Sequence, residues 1–149
     1  MYLKKFILPT CMEEEILCEK AAENGGYIDN AYPCGIFQKK ELSEIYFDKI
    51  TIFYGGNGSG KSTLLNLISE KLLLNRIAPF NSSETFIPYL ENCSYSMATD
   101  EEGFDLRVPN GSRIITSDDI FDYMLTVRTN NNEIKIGRAS CRERVLFLV

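Results

Sequence analysis

One short stretch holds residue types and spacings that could do chemistry. Residues 55–62 read Gly-Gly-Asn-Gly-Ser-Gly-Lys-Ser, followed by Thr63, and so fit the pattern GxxxxGK[ST]. Gly55, Gly56, Gly58 and Gly60 let a backbone curl until successive N–H groups point into one concavity with no side chain in the way of an anion. Asn57 and Ser59 fill the turn between them. Lys61 adds a mobile ammonium, and Ser62 and Thr63 add hydroxyls, the first of them a hard oxygen suited to Mg²⁺. The chemistry is phosphate binding. Lys61 is expected to reach the β- and γ-phosphates of a nucleotide and to stabilise charge during catalysis, Ser62 to ligate the metal, and Thr63 to donate to the α-phosphate.

Such a loop needs a strand that delivers it and a helix that receives it. Residues 49–54 (KITIFY) are β-branched and aromatic, which predicts a strand running directly into the glycines. Residues 61–74 carry Leu64, Leu65, Leu67, Ile68, Leu72 and Leu73 at helical spacing, with Asn66, Ser69, Glu70 and Lys71 on the other face. That helix would aim its positive dipole end at the anion.

The remaining elements are read from punctuation. Residues 2–8 (YLKKFIL) predict a strand stopped by Pro9, and Thr10 stands three residues before Glu13 in capping-box spacing. A helix over 11–23 should bury Ile16, Leu17 and Ala21 and stop at Asn24-Gly25-Gly26. Residues 27–44 show no regular pattern. Residues 104–108 and 113–115 flank Pro109-Asn110-Gly111 as a hairpin would. Thr116 or Ser117 then caps a helix with Asp118 and Asp119 in its first turn and Ile120, Phe121, Met124 and Leu125 facing inward. The chain shows neither internal repeats nor linkers.

Composition sets outer bounds. With 149 residues, 44% hydrophobic and 25% charged, the chain suits one α/β domain or part of one and excludes disordered and collagenous classes. The net charge of −5 gives no general attraction to phosphate backbones or anionic membranes. No window is apolar enough to span a membrane, and the start is too soon interrupted for a signal peptide, which predicts a cytoplasmic protein. Cys11, Cys18, Cys34, Cys93 and Cys141 are odd in number and lack a CxxC pair, so reduced thiols are expected. Asn-x-Ser at Asn57, Asn81, Asn92 and Asn110 then has no meaning for glycosylation. The absence of histidine removes serine-histidine triads and imidazole ligands together.

The string ITIFYGGNGSGKSTLLNLI, residues 50–68, resembles the P-loop nucleotide triphosphatases, and among them the ATP-binding-cassette superfamily. It is similar especially to stand-alone AAA-family and structural-maintenance-of-chromosomes-like ATPases. Asp48-Lys49 before the strand and Asn75-Arg76 after the helix differ from transporter subunits. The resemblance implies an α/β P-loop fold with an incomplete sheet and flanking helices, ATP and Mg²⁺ as ligands, and ATP hydrolysis in the complete protein by a head-to-tail homodimer. Nucleic acid enters as a partner only by analogy with repair-type relatives. Three family features are missing after Lys61: a Walker B strand ending Asp-Glu, an LSGGQ signature and a loop glutamine, the sole glutamine being Gln38. This chain is therefore expected to hold phosphates without cutting them. An NKxD guanine-reading motif is absent as well. Two alternatives stay open, a non-hydrolysing ATP-binding switch module and a P-loop kinase.

Other candidates are weaker. Tyr32, Phe37 and Tyr46 precede the loop and could stack on adenine, although packing explains each more simply. Glu13-Glu14-Glu15, Asp100-Glu101-Glu102 and Asp118-Asp119 could hold a metal but read first as solvated charge. Lys39-Lys40 is too short for a nucleic-acid patch.

From residue 136 the chain reads IGRASCRERV, which back-translates into a string similar to a sequencing adapter. Residues 1–135 are accordingly expected to be the N-terminal part of the ATPase domain and 136–149 an artefactual tail, with the natural gene continuing past Lys135. An adapter-derived peptide has no history of packing on this core. Deleting residues 136–149 should leave the melting temperature unchanged or raise it, whereas a fall of several degrees in a thermal scan would make the tail an integral element.

Overall fold

A computed structural model of the chain describes residues 2–23, 31–80 and 82–134. The expected tail, Cys141 and the expected helix stop at Asn24-Gly25-Gly26 lie outside the described residues. The chain divides into two compact units, Met1–Ile114 and one that begins at Ile115.

In the first unit the central strand is β1 (Leu3–Ile7), flanked by β2 (Glu44–Tyr46) and β3 (Ser94–Met97) in the order β2-β1-β3, antiparallel on both sides. Phe6 pairs with Ile45 across β2, and both are buried. Lys5 pairs with Tyr46 across β2, its ammonium 2.5 Å from the Glu44 carboxylate and over the Tyr46 ring. Glu44 raises the pKa of Lys5 and Lys5 holds Glu44 below the usual carboxylate range. Helix α1 (Cys11–Glu23) starts with the expected capping box: the Thr10 N–H and hydroxyl donate to Glu13 Oε2 at 2.7 and 2.8 Å. Helix α2 (Lys61–Lys71) turns Leu64, Leu67 and Ile68 into the core. Helix α3 (Phe86–Asn92), which the sequence did not announce, buries Phe86 and Tyr89 and has its C-terminal carbonyls capped by the Lys71 ammonium, 2.8 Å from Leu90 O.

Five expectations for the first unit need correction. Residues 49–54 are not a strand: Ile50 and Ile52 are 82% and 83% exposed, Tyr54 is fully exposed, and only Phe53 packs inward, edge-on to Phe47. Among the described residues no backbone–backbone hydrogen bond joins this segment to another strand, and without one β-propensity cannot become a ladder. Along α1 and α2, Ile16 and Leu65 face solvent while Ser69 is buried, and Leu73, just past the end of α2, is exposed as well. Helix α2 also stops short of residue 74, because Leu73 turns left-handed at φ 53°. Glu14 is not solvated: α1 turns it inward, where it accepts from Tyr89 Oη at 2.7 Å and from the Gly35 N–H at 2.8 Å. The arms around Pro109-Asn110-Gly111 do not pair with each other. The Leu106 N–H instead donates to Ala98 O around a turn that Asp100 closes, and Arg113 bridges Asn75 in parallel.

In the second unit α4 (Ser117–Ile134) begins at the expected cap, with the Thr116 N–H donating to Asp119 Oδ2 at 2.7 Å. Its apolar residues Ile120, Phe121, Met124 and Leu125 do not face inward. All four are exposed, since α4 is the only described element of its unit.

The Tyr89 hydroxyl is one of two donors to a buried carboxylate, and burial followed by that neighbour pushes its pKa well above the ordinary phenol value. Tyr89→Phe strips Glu14 of that donor with little change in packing. It should cost about 1.5–3 kcal/mol in urea unfolding, and an unchanged midpoint would mean the bond adds nothing.

Candidate functional site

The glycine loop adopts the backbone its sequence calls for. Gly58 and Gly60 take left-handed φ values of +74° and +90°, which reverse the chain within a few residues. The Ser59 N–H closes on Gly56 O at 3.3 Å, and Leu64 N–H donates to Gly60 O at 2.9 Å, opening α2. Gly60 is thus the N-cap of α2.

The four glycines meet unlike environments at the two ends and in the middle of the loop. A Cβ on Gly60 would lie 2.7 Å from Ile36 Cγ2 and 3.2 Å from Phe37 Cε1, and one on Gly55 would lie 2.8 Å from Ser59 Oγ. Gly56 and Gly58 have nothing within 4 Å of such an atom. The loop is therefore tight where it joins the core and open at Gly56 and Gly58.

Lys61 folds back across this loop. Its ammonium donates to Gly55 O at 2.6 Å, Gly56 O at 2.8 Å and Ser59 Oγ at 3.0 Å. Asn57 and Ser62 are exposed and Thr63 is buried on the core side of α2, so of the two hydroxyl residues Ser62 is the one at the surface. A second cation reaches the loop from a 3₁₀ turn, Gln38–Lys40: the Lys40 ammonium donates to Ser59 O. Sequence reasoning weighed Lys40 only within a Lys39-Lys40 pair too short for a nucleic-acid patch, and no local signal could have tied it to the loop, because the contact spans 19 positions.

The other candidates have structural partners. Phe37 is a core residue, Tyr32 stacks on Phe86 and Tyr46 lies under the Lys5 ammonium. Glu13 belongs to the α1 capping box, and the Thr10 N–H and hydroxyl hold its carboxyl below the usual range. Asp100 Oδ1 accepts from the Glu102 and Phe104 N–H groups. Among the described residues no three Cys, Asp or Glu side chains are grouped to hold a metal. Cys11, Cys18, Cys34 and Cys93 are free, as expected. Burial first of all pushes the Cys34 and Cys93 thiols up to about 12, so neither is a thiolate at neutral pH. Among the described residues no helix is long and apolar enough to cross a membrane.

No protein-family model, curated protein or solved structure matches this chain.

The contrast between the glycines gives a direct test. Gly60→Ala must place a side chain at positive φ against the fixed Phe37 ring, and should destabilise the fold by at least about 1–2 kcal/mol. Gly56→Ala has room and no positive φ, and should unfold within about 0.5 kcal/mol of the parent chain in the same denaturant titration.

Proposed function

We propose that this chain binds a nucleoside triphosphate, ATP, together with Mg²⁺, through Gly55, Gly56, Asn57, Gly58, Ser59, Gly60, Lys61, Ser62 and Thr63. The observation that supports the reading best is the Lys61 ammonium lying on the carbonyls of Gly55 and Gly56, across a glycine loop that is open at Gly56 and Gly58 and leads into the N-terminus of α2.

A phosphate entering there would meet backbone donors and the positive end of the α2 dipole at once. Lys61 would exchange two neutral carbonyl acceptors for charged phosphate oxygens, a gain because the ammonium then faces full opposite charges rather than carbonyl dipoles. The exposed Ser62 hydroxyl in the first turn of α2 is a hard oxygen placed to hold Mg²⁺, which when bound neutralises charge shared by the β- and γ-phosphates. Lys61 would also stabilise charge on a phosphoryl group in flight.

Turnover needs more than these residues supply. The 149 residues contain no Walker B Asp-Glu and no LSGGQ segment, so a head-to-tail pair of such chains would bring neither to the other's loop. Binding without cleavage is the activity proposed for this chain, and hydrolysis is proposed for a complete protein that supplies the missing acid.

Titration with a fluorescent ATP analogue tests the reading. Lys61→Ala should weaken binding at least tenfold, about 1.4 kcal/mol, while Ser62→Ala should chiefly reduce the gain that Mg²⁺ brings. A folded Lys61→Ala chain with the parent's affinity would remove the phosphate site.

A further inference from the structure

The loop is gripped by a turn that the proposed roles leave unused. Gln38–Lys40 is fixed from several directions: Phe37 before it is buried in the core, the Gln38 side-chain amide donates to Pro9 O at 3.4 Å, and the Glu41 and Leu42 N–H groups close on Gln38 O and Phe37 O. Cys11 Sγ donates to the Gln38 side-chain oxygen as well. From this base the Lys40 ammonium reaches the Ser59 carbonyl.

A trans peptide unit is planar, with its C=O and the following N–H on opposite sides. A cation that holds the Ser59 carbonyl on one side of its peptide unit must therefore hold the Gly60 N–H on the other. We infer that Lys40 is a positioning residue of the phosphate loop: by holding the Ser59 carbonyl it aims the Gly60 N–H into the concavity that takes a nucleotide's phosphates. This rests on the nucleotide reading above.

The division of labour between the two lysines gives Lys40 its weight. The loop carbonyls are shared, Gly55 and Gly56 going to Lys61 and Ser59 to Lys40. Phosphate would draw Lys61 off its two carbonyls. The Lys40 bond is the one that survives, so it shapes the loop with phosphate bound.

The test uses the full chain and a fluorescent ATP analogue with Mg²⁺. Lys40→Met keeps the aliphatic stem and removes the donor, and should raise Kd about fivefold, as expected for one partly screened charge-assisted bond. Lys40→Arg restores a cationic donor and should recover most of the loss. Lys39→Met removes the same charge from the exposed neighbouring side chain and should bind as the parent does. Because Lys40 is exposed, melting without nucleotide should be the same for every variant. The inference is overturned if Lys40→Met binds like the parent, if Lys39→Met weakens binding equally, if arginine restores nothing, or if the loss follows a lowered melting temperature. A parent chain that binds no better than Lys61→Ala overturns the nucleotide reading itself, and this inference with it.

Discussion

At Gly60 the backbone passes so close to Ile36 and Phe37 that no side chain fits between them. The rest of the site depends on that approach. Phe37 shares its core with Phe6, Leu8, Leu64 and Leu67, so the surface against which the loop turns is as rigid as the packed interior. Gly60 is at once the close-contact residue, a left-handed turn residue and the N-cap of α2. One missing side chain thus fixes where α2 starts, which way Lys61 leaves it, and where the loop carbonyls lie for Lys61 and Lys40 to hold.

The wall beneath Gly60 is tied down by a buried polar group. Glu14 accepts from the Gly35 N–H, the residue before Ile36, and from the Tyr89 hydroxyl on α3. A carboxylate with so little water around it would be costly if either donor were lost. With both in place it joins α1, α3 and the stretch that leads to the 3₁₀ turn. Packing of α1 and α3 is thereby linked to the position of the chain under the glycine loop through named bonds, with no need for motion.

What could be read from the sequence was what neighbours in sequence decide. Thr10 with Glu13 and Thr116 with Asp119 form their capping boxes because both partners sit within one helical turn. Gly58 and Gly60 take positive φ where the pattern required it, and α2 begins at Lys61. What escaped was decided across the fold. Glu14 lay in a run of three acids that resembled any solvated helix start, and nothing local says that Tyr89, 75 positions away, would meet it. The pairing of Leu106 with Ala98 hid for a related reason: the Asp100 turn competed with the more obvious Pro-Asn-Gly turn, and the backbone used both without closing the hairpin that the second one advertised.

Residues 49–54 carry that lesson furthest. Their alternation is strand-like and their side chains are β-branched and aromatic, yet a strand exists only where a second strand takes its N–H and C=O groups. β1 already has β2 on one side and β3 on the other. The segment is left with Phe53 against Phe47 and its other large side chains in solvent. The loop it enters is nonetheless in place. Its fixed contacts come from the far end, through Gly60 on Ile36 and Phe37, Lys40 on Ser59, and Lys61 reaching back to Gly55. The loop is therefore built from α2 and the 3₁₀ turn backward to the strand-like lead, the reverse of the order in which the sequence presents it, and Lys61 is the side chain that joins the two ends.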